Sequence, residues 1–213
     1  MKALKQQNID FSFYYTGVPP VYGKCAGVKA DGTISSLPQV RLDSSRKEIL
    51  DYFNNSWTLN EVLFSGLVSE EAFYRRPYHQ LRHPMIFYYG HTAVVYVNKL
   101  RVAGLLDKPI NAEFEKLFEV GVDEMRWDDL HEGKQNVWPE VSEVRAYRKQ
   151  VYDIICNLIN TNPLLEKEHL PITDKRPIWA LVMGFEHERI HLETSSVLMR
   201  EMPLEFLCKP KEW

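Results

Sequence analysis

The segment from Pro177 to Met202 restricts the fold of this chain more than any other stretch. When it is placed on a helix, small or apolar side chains occupy two opposite sides. The two sides are formed by Ala180, Met183, Gly184, Thr194 and Leu198, and by Ile178, Leu181, Phe185, Leu192 and Met199. A helix that is apolar on two sides is either buried centrally or packed against a second layer. The sequence therefore predicts that this helix is an internal element of the fold.

Two histidines, His187 and His191, lie on the first of these sides, one turn apart. Imidazole is the commonest protein ligand for transition metals, although such a pair also occurs on surfaces that bind no metal. Here the neighbouring residues on the same side are small or apolar, and none is Lys or Arg. A buried imidazole needs a partner, and a metal ion is one good partner. The pair therefore predicts half of a metal site.

Three other segments of about twenty residues have apolar stripes with helical spacing. They run from about Ser45 to Leu67, from Pro84 to Ala103 and from Pro139 to Ile159, and a shorter helix is predicted near Ala112–Glu119. Serine is a good N-cap, and proline suits the first turn of a helix. Four long helices, joined partly by long loops, predict an all-α fold, an antiparallel four-helix bundle.

The regions outside the bundle differ from it in composition. Residues 1–42 contain many prolines and glycines without helical periodicity, which predicts an irregular N-terminal arm with a small hairpin at Asp31-Gly32. The arm contains the clustered aromatic residues Phe11, Phe13, Tyr14 and Tyr15. Either the arm, through Phe11, Phe13 and Tyr14, or a second chain is expected to cover the side of the last helix that contains Phe185 and Leu192, and the aromatic cluster favours the arm. Residues 43–203 are assigned to the bundle, and residues 204–213 are expected to be a linker toward an absent second domain.

A third metal ligand is predicted on the second long helix. His91 lies within an almost continuously apolar stretch, where a lone histidine is more often an ordinary core residue. In bundles, however, metal sites are built from side chains of facing helices. His91 can therefore meet His187 and His191 inside the bundle. A carboxylate could replace one histidine, and the candidates are Asp123, Glu124, Asp128 and Asp129.

Composition excludes several classes of protein. The net charge of −3 gives no electrostatic case for binding nucleic acid or acidic membranes. No apolar run has the length of a membrane span, and the first residues lack the apolar core of a signal peptide. The three cysteines, Cys25, Cys156 and Cys208, show no CxxC spacing, which indicates a reducing cytoplasm rather than a disulfide framework.

Three stretches of this sequence, taken together, resemble one family of enzymes. They are Gly90–Val94 with Asn98–Leu100, Gly121–Met125 with Trp127–Asp129, and Glu186–Thr194. These motifs are similar to the DinB-like amino-terminal domain of the ovothiol synthases (5-histidylcysteine sulfoxide synthases), which are related to the ergothioneine sulfoxide synthases. The likeness covers roughly residues 42–213.

The resemblance implies a ligand set, a reaction and a partner. In this family three histidines hold Fe(II), and the matching residues here are His91, His187 and His191. Family members join cysteine to the imidazole of histidine with O2 as oxidant, and the remaining coordination positions are open for O2 and a thiolate. They continue into a formylglycine-generating-enzyme-like domain that 213 residues cannot contain. The chain is therefore expected to be the iron-binding part of such an enzyme and to lack full activity alone.

Two alternatives remain open from the sequence. One is a stand-alone DinB-like thiol transferase or hydrolase that uses zinc or nickel, and the other is a non-enzymatic interaction bundle. Glu193 lies off the His face and could accept a hydrogen bond from a ligand imidazole or simply reach solvent. His79 and His83 lie among arginines, which favours a loop over a second metal site. His131 and His169 are expected to be solvated, and Tyr147 and Arg148 could lie near the site.

Overall fold

The regular secondary structure of the described residues is entirely helical. The computed structural model describes residues 13–79, 82–119 and 138–213. Its helices are α1 (Arg46–Phe64), α2 (Glu70–Tyr74), α3 (Met85–Val102), α4 (Ala112–Leu117), α5 (Val141–Thr161) and α6 (Trp179–Arg200), with short 3-10 turns at Pro163–Leu165 and Leu204–Phe206. Isolated β-bridges join Val28 to Ile34 and Leu67 to Leu207. The predicted all-α fold is confirmed.

The four long helices, α1, α3, α5 and α6, form the bundle, and side-chain contacts give their directions. Arg46 bonds to the Ile159 carbonyl near one end of α1, and Glu61 pairs with Arg148 near the other, so α1 and α5 are antiparallel. α3 and α6 are also antiparallel, because Tyr88 lies near His191 whereas Tyr96, further along α3, bonds to the earlier residue Glu188 of α6. α1 runs parallel to α6, because Tyr52 bonds to Glu186 and Ser56 bonds to Arg189. It follows that α3 and α5 are parallel, which requires the long connection of residues 103–140 between them.

The helix boundaries follow from local sequence signals. Ser45 is the N-cap of α1, and its hydroxyl accepts from the Glu48 N–H while the Glu48 carboxylate accepts from the Ser45 N–H at 2.7 Å. This reciprocal capping box explains the predicted start of α1. The observed bounds of α3, α4 and α5 lie within two residues of those predicted. The short helix α2, capped by Ser69, was not predicted.

The N-terminal arm packs on the bundle, but not where the sequence suggested. Phe185 is buried against Tyr52, Phe53 and Tyr96, so the bundle itself covers it, and the expected arm cover is wrong at this position. Leu192 does contact the arm, through a small core formed by Cys25, Val28, Ile34, Leu59 and Val62. Phe13 and Tyr14 lie instead over the guanidinium of Arg145, and Phe11 lies outside the described residues.

Backbone hydrogen bonds form a turn within the arm and attach the C-terminal residues to the rest of the fold. The predicted turn at Asp31-Gly32 is present, since Gly32 has a φ of +85° and Lys29 N–H donates to the Thr33 carbonyl. Residues 204–213 lie against the arm and the end of α1, where Ile34 N–H donates to the Glu212 carbonyl and Cys208 N–H to the Gly66 carbonyl. Among the described helices, none is long and apolar enough to cross a membrane.

Candidate metal centre

The three predicted histidines converge between α3 and α6. One ring nitrogen from each of His91, His187 and His191 lies within 4.8 Å of the other two. The ring centroids are 4.4 Å apart within the α6 pair, and 4.7 Å and 5.0 Å from His91 to His191 and His187. His91 is buried, whereas the other two are half-buried. The site therefore has a closed side formed by α3 and a side that remains accessible.

One hydrogen bond fixes the ring of His91. Its Nδ1 lies 2.6 Å from the main-chain oxygen of Phe118, just beyond the end of α4. A carbonyl can only accept, so Nδ1 holds the proton and Nε2 keeps its lone pair. Gly90 makes this contact possible, because a Cβ at this position would come within 2.7–2.8 Å of the Phe118 ring. The bond therefore leaves the lone pair of Nε2 available to coordinate a metal.

Burial keeps two of these imidazoles neutral. It lowers the pKa of His91 to about 4, although the Phe118 carbonyl works in the opposite direction. Burial also lowers the pKa of His191 to about 2, with further lowering by His91 and His187. A metal binds the neutral form of imidazole, so these donors need not release a proton near neutral pH.

The donor set fits a borderline divalent metal. Nitrogen ligands at about 2.1 Å from one ion lie about 3–3.5 Å from each other, so rings whose nitrogens now lie within 4.8 Å would move inward to share one ion. Three imidazoles suit iron, zinc, nickel or copper, and the choice among these metals is not set by the nitrogens alone. The Nδ1 atom of His191 is buried without a hydrogen-bond partner among the described residues. A metal ion coordinated by Nδ1 would give this buried atom a partner.

Aromatic rings form one wall beside the histidines. The ring of Phe87 stacks on His91 with centroids 5.0 Å apart, and the His83 ring lies 4.2 Å from that of Phe87 at an angle of 35°. Tyr88 lies with its ring 5.9 Å from that of His191. Burial lowers the pKa of His83, so this ring also favours the neutral form. The wall restricts access of water from the α3 side of the site.

Comparisons with known proteins agree with the helical fold. The model of the DinB superfamily matches residues 43–195. The chain belongs to the DinB superfamily. It is also 28% identical over 182 residues to Ergothioneine biosynthesis protein 1 of Neurospora crassa. This alignment covers 84% of the chain but only 20% of that relative, so the chain spans about a fifth of the relative's length.

Beside the histidines, α3 and α6 of this DinB-superfamily bundle make a close contact. A Cβ at Gly184 would lie 2.3 Å from the ring of Tyr96, so the glycine leaves room for that ring rather than for the metal. The Tyr96 hydroxyl donates to Oε2 of buried Glu188 at 2.8 Å. Burial raises the pKa of Glu188 to about 7, and the Arg148 charge and the Tyr96 hydrogen bond lower it. The bond joins the two helices that supply the three imidazoles.

Among the residues that the structure describes, the remaining sequence candidates are not part of the cluster. Glu193 is exposed on α6, and its role beside a ligand imidazole stays a prediction. His169 is half-buried rather than solvated, with Nε2 2.9 Å from the Ser44 carbonyl. Tyr147 is buried against Phe114. Five candidates lie outside the described residues: Asp123, Glu124, Asp128, Asp129 and His131.

Sequence reasoning missed the residues that support the ligands. The Phe118 carbonyl is main-chain, so no side-chain pattern indicates its role. Glu188 lies between the two histidines in the sequence but was not identified as a buried acid. The signal that could have found Phe118 is Gly90, since a glycine within an apolar helix often marks a close approach of another element.

Proposed function

We propose that this chain is the iron-binding domain of a non-haem, O2-dependent sulfoxide synthase that joins cysteine to histidine. The convergence of His91, His187 and His191 within 4.8 Å is the observation on which this proposal rests. Membership of the DinB superfamily and the similarity to Ergothioneine biosynthesis protein 1 support it. The sequence motifs favour the ovothiol type of reaction, in which free cysteine and histidine are the substrates.

Bound Fe(II) would supply the redox chemistry that lets O2 act as the oxidant. The overall reaction balances with no other reductant. The S–H bond of cysteine and one C–H bond of the imidazole break, and a C–S bond forms. One oxygen atom enters the sulfoxide and the other leaves as water. O2 accepts four electrons, two from C–S bond formation and two from oxidation of the sulfur.

Within this reaction the chain's own residues have defined tasks. The three imidazoles would hold the metal, and the Phe118 carbonyl fixes the orientation of the His91 ring. Phe87 covers one flank of His91 and excludes water there. The half-buried His187 and His191 leave the opposite side accessible for substrates.

An exposed apolar stripe beside the histidines supports the need for a second domain. Met183, Ile190 and Val197 recur every seven residues on α6 and are 42%, 61% and 50% exposed. Residues at this spacing form one stripe along a helix, and this stripe lies at the edge of the side that bears His187 and His191. We propose that a formylglycine-generating-enzyme-like domain or chain covers the stripe and completes the substrate pocket. The unpaired cysteines fit the proposed cytoplasmic location.

Anaerobic metal titration followed by elemental analysis tests the metal centre. We expect one Fe(II) per chain, with binding lost in His91→Ala. Tight zinc or nickel with no iron binding would support the thiol transferase or hydrolase alternative, and no metal would support a non-enzymatic bundle.

A separate assay tests the reaction and the need for a partner. The iron-loaded chain is incubated with cysteine, histidine and O2, and mass spectrometry is used to detect the sulfoxide. We expect no appreciable coupling without the second domain. Robust turnover by the chain alone would show that the substrate pocket lies within these residues.

A further inference from the structure

Arg148 makes buried polar contacts with the turn of α3 that bears His91. It projects from α5, is fully buried, and donates from Nη1 to the Tyr89 carbonyl at 2.8 Å and to the Thr92 hydroxyl at 2.9 Å. These two acceptors are on α3, two residues before and one residue after His91. The guanidinium therefore holds the helical turn that contains the buried ligand.

The direction of these bonds determines where His91 points. Residues 89 and 92 lie on a different side of α3 from residue 91, at the usual angle of about 100° per residue. Because Arg148 binds the side of α3 that faces α5, it fixes the orientation of α3 about its own axis. In this orientation His91 faces α6. A metal site tolerates only about 0.5 Å of ligand displacement. Rotation of α3 would move the His91 ring away from the α6 pair.

Arg148 is itself held in place from both sides. Its guanidinium carbon lies 4.2 Å from the ring centre of Trp57 and 4.5 Å from that of Tyr89. Its Nε lies 3.6 Å from Oε1 of the buried Glu61, an ion pair just beyond hydrogen-bond distance. Planar stacking of this kind suits arginine and not lysine.

The N-terminal arm donates hydrogen bonds to Glu61. The Thr16 N–H donates to Oε2 of Glu61 at 2.7 Å, the Thr16 hydroxyl donates to Oε1, and the Gly17 N–H lies 3.4 Å from Oε2. Trp57 also donates from Nε1 to the Thr16 hydroxyl at 3.0 Å. A continuous set of buried contacts thus runs from the arm through Glu61 and Arg148 to the turn of His91.

We propose that Arg148 is a positioning residue of the metal centre, and that the arm supports it through Thr16 and Glu61. This inference rests on the proposed function only in requiring that the three histidines bind a metal. The competing explanation is charge balance alone, in which Arg148 neutralises the buried Glu61. A buried ion pair can often be replaced by apolar groups of similar volume without loss of stability. Such a replacement separates the two roles.

The test compares Arg148→Met with the double variant Glu61→Gln/Arg148→Met. The single variant leaves a buried unpaired carboxylate and is expected to be unstable. The double variant removes both charges, so its stability should largely recover, while the bonds to Tyr89 and Thr92 stay absent. Fe(II) affinity is measured anaerobically by chelator competition. Co(II) replaces Fe(II) for absorption spectroscopy, since its d–d bands report coordination geometry.

We expect the folded double variant to bind Fe(II) on the order of tenfold or more weakly, as is typical for loss of outer-sphere support. Its Co(II) bands should shift in position or intensity. Wild-type affinity and spectrum in the folded double variant would overturn the proposal. If both methionine variants fail to fold, Thr92→Val is used instead, because it removes only one hydrogen-bond acceptor of Arg148. It should change the Co(II) spectrum, and an unchanged spectrum would overturn the proposal.

A matched pair of threonines tests the contribution of the arm. Thr16 bonds to Glu61, whereas Thr58, also buried, bonds to the Val18 carbonyl of the arm at 2.7 Å. We expect Thr16→Val to weaken Fe(II) binding more than Thr58→Val does. Equal effects would overturn the specific role of the contacts between Thr16 and Glu61. If the wild-type chain binds neither Fe(II) nor Co(II), the proposed function and this inference both fail; unchanged variants of a metal-binding wild type overturn the inference alone.

Discussion

The Nδ1 atom of His91 lies 2.6 Å from the main-chain oxygen of Phe118. His91, a candidate metal ligand, is on α3, and Phe118 follows α4, so the tautomer of His91 depends on how these two elements pack. The packing in turn depends on Gly90, which precedes the ligand and lies against the Phe118 ring. The metal centre is therefore supported by a backbone carbonyl whose position is set by a glycine.

Gly90→Ala should weaken metal binding about 10–100-fold, the range found when outer-sphere partners of ligands are lost. The added methyl group would lie within 2.7–2.8 Å of the Phe118 ring, so the ring and its carbonyl must move. Fe(II) titration under anaerobic conditions measures the loss. Gly90→Ala/Phe118→Leu makes room for the methyl group and should restore part of the affinity. Unchanged affinity in Gly90→Ala would show that the carbonyl is not needed.

Gly184→Ala should destabilise the fold by about 1–3 kcal/mol, as overpacking of a dense core usually does. The new Cβ would lie 2.3 Å from two ring atoms of Tyr96, which is fully buried and cannot swing away. Urea unfolding measures the change in the free energy of unfolding. Val197→Ala on the same helix is the control, because Val197 is half exposed, and it should change stability by less than about 0.5 kcal/mol. Equal effects of both substitutions would contradict the close helix contact.

Tyr96→Phe should cost about 1–3 kcal/mol of stability, because it leaves the buried Glu188 carboxyl without its hydroxyl donor. The Oε1 atom of Glu188 already lacks a hydrogen-bond partner among the described residues, so nothing nearby replaces the lost bond. Tyr96→Phe/Glu188→Met removes both polar groups and should recover much of the loss. Chemical unfolding of the single and double variants gives the coupling energy. Additive effects would mean that the hydrogen bond contributes little.

The sequence predicted the bundle and the three histidines because both depend on local patterns. Apolar spacing defines helices, and two histidines four residues apart share a side of any helix. The directions of the helices depend on tertiary contacts such as Tyr52 with Glu186, which no local pattern determines. The position of the arm was wrong at Phe185 for a related reason. Clustered aromatic residues indicate that the arm docks, but they do not specify which surface receives it.

Fe(II) should raise the stability of the chain, and removing the metal should reverse the effect. At a free metal concentration 100 times the dissociation constant, binding to the folded state alone adds about 2.7 kcal/mol. Thermal unfolding with and without Fe(II) under anaerobic conditions measures the shift. His187→Ala should abolish it, whereas Glu193→Gln is expected to preserve it because Glu193 is exposed. A lost shift in Glu193→Gln would instead support its predicted contact with a ligand imidazole.

Removal of residues 1–37 should destabilise the bundle by more than a single core substitution does. The deletion takes away the donors to Glu61 and the partners of the buried Asn55, whose amide bonds to the Ala26 and Ser35 carbonyls and to the Leu37 N–H at 2.9 Å each. Each buried polar group left unpaired costs about 1–3 kcal/mol. The deletion also uncovers Leu59 and Val62, so binding of a hydrophobic dye should increase.

Leu192→Ala tests the same interface without deleting any residue. Leu192 packs from α6 against the small core that the arm forms with Leu59 and Val62, so truncation should lower the free energy of unfolding. We expect a loss of about 1–2 kcal/mol, less than for a fully buried leucine, because this side chain is only half-buried. Leu170→Ala is the control, since Leu170 is 72% exposed and should have little effect. If the deletion variant keeps its melting temperature and Leu192→Ala behaves like the control, the arm does not stabilise the bundle. The contacts of Thr16 with Glu61 would then have to contribute to metal binding without contributing to folding.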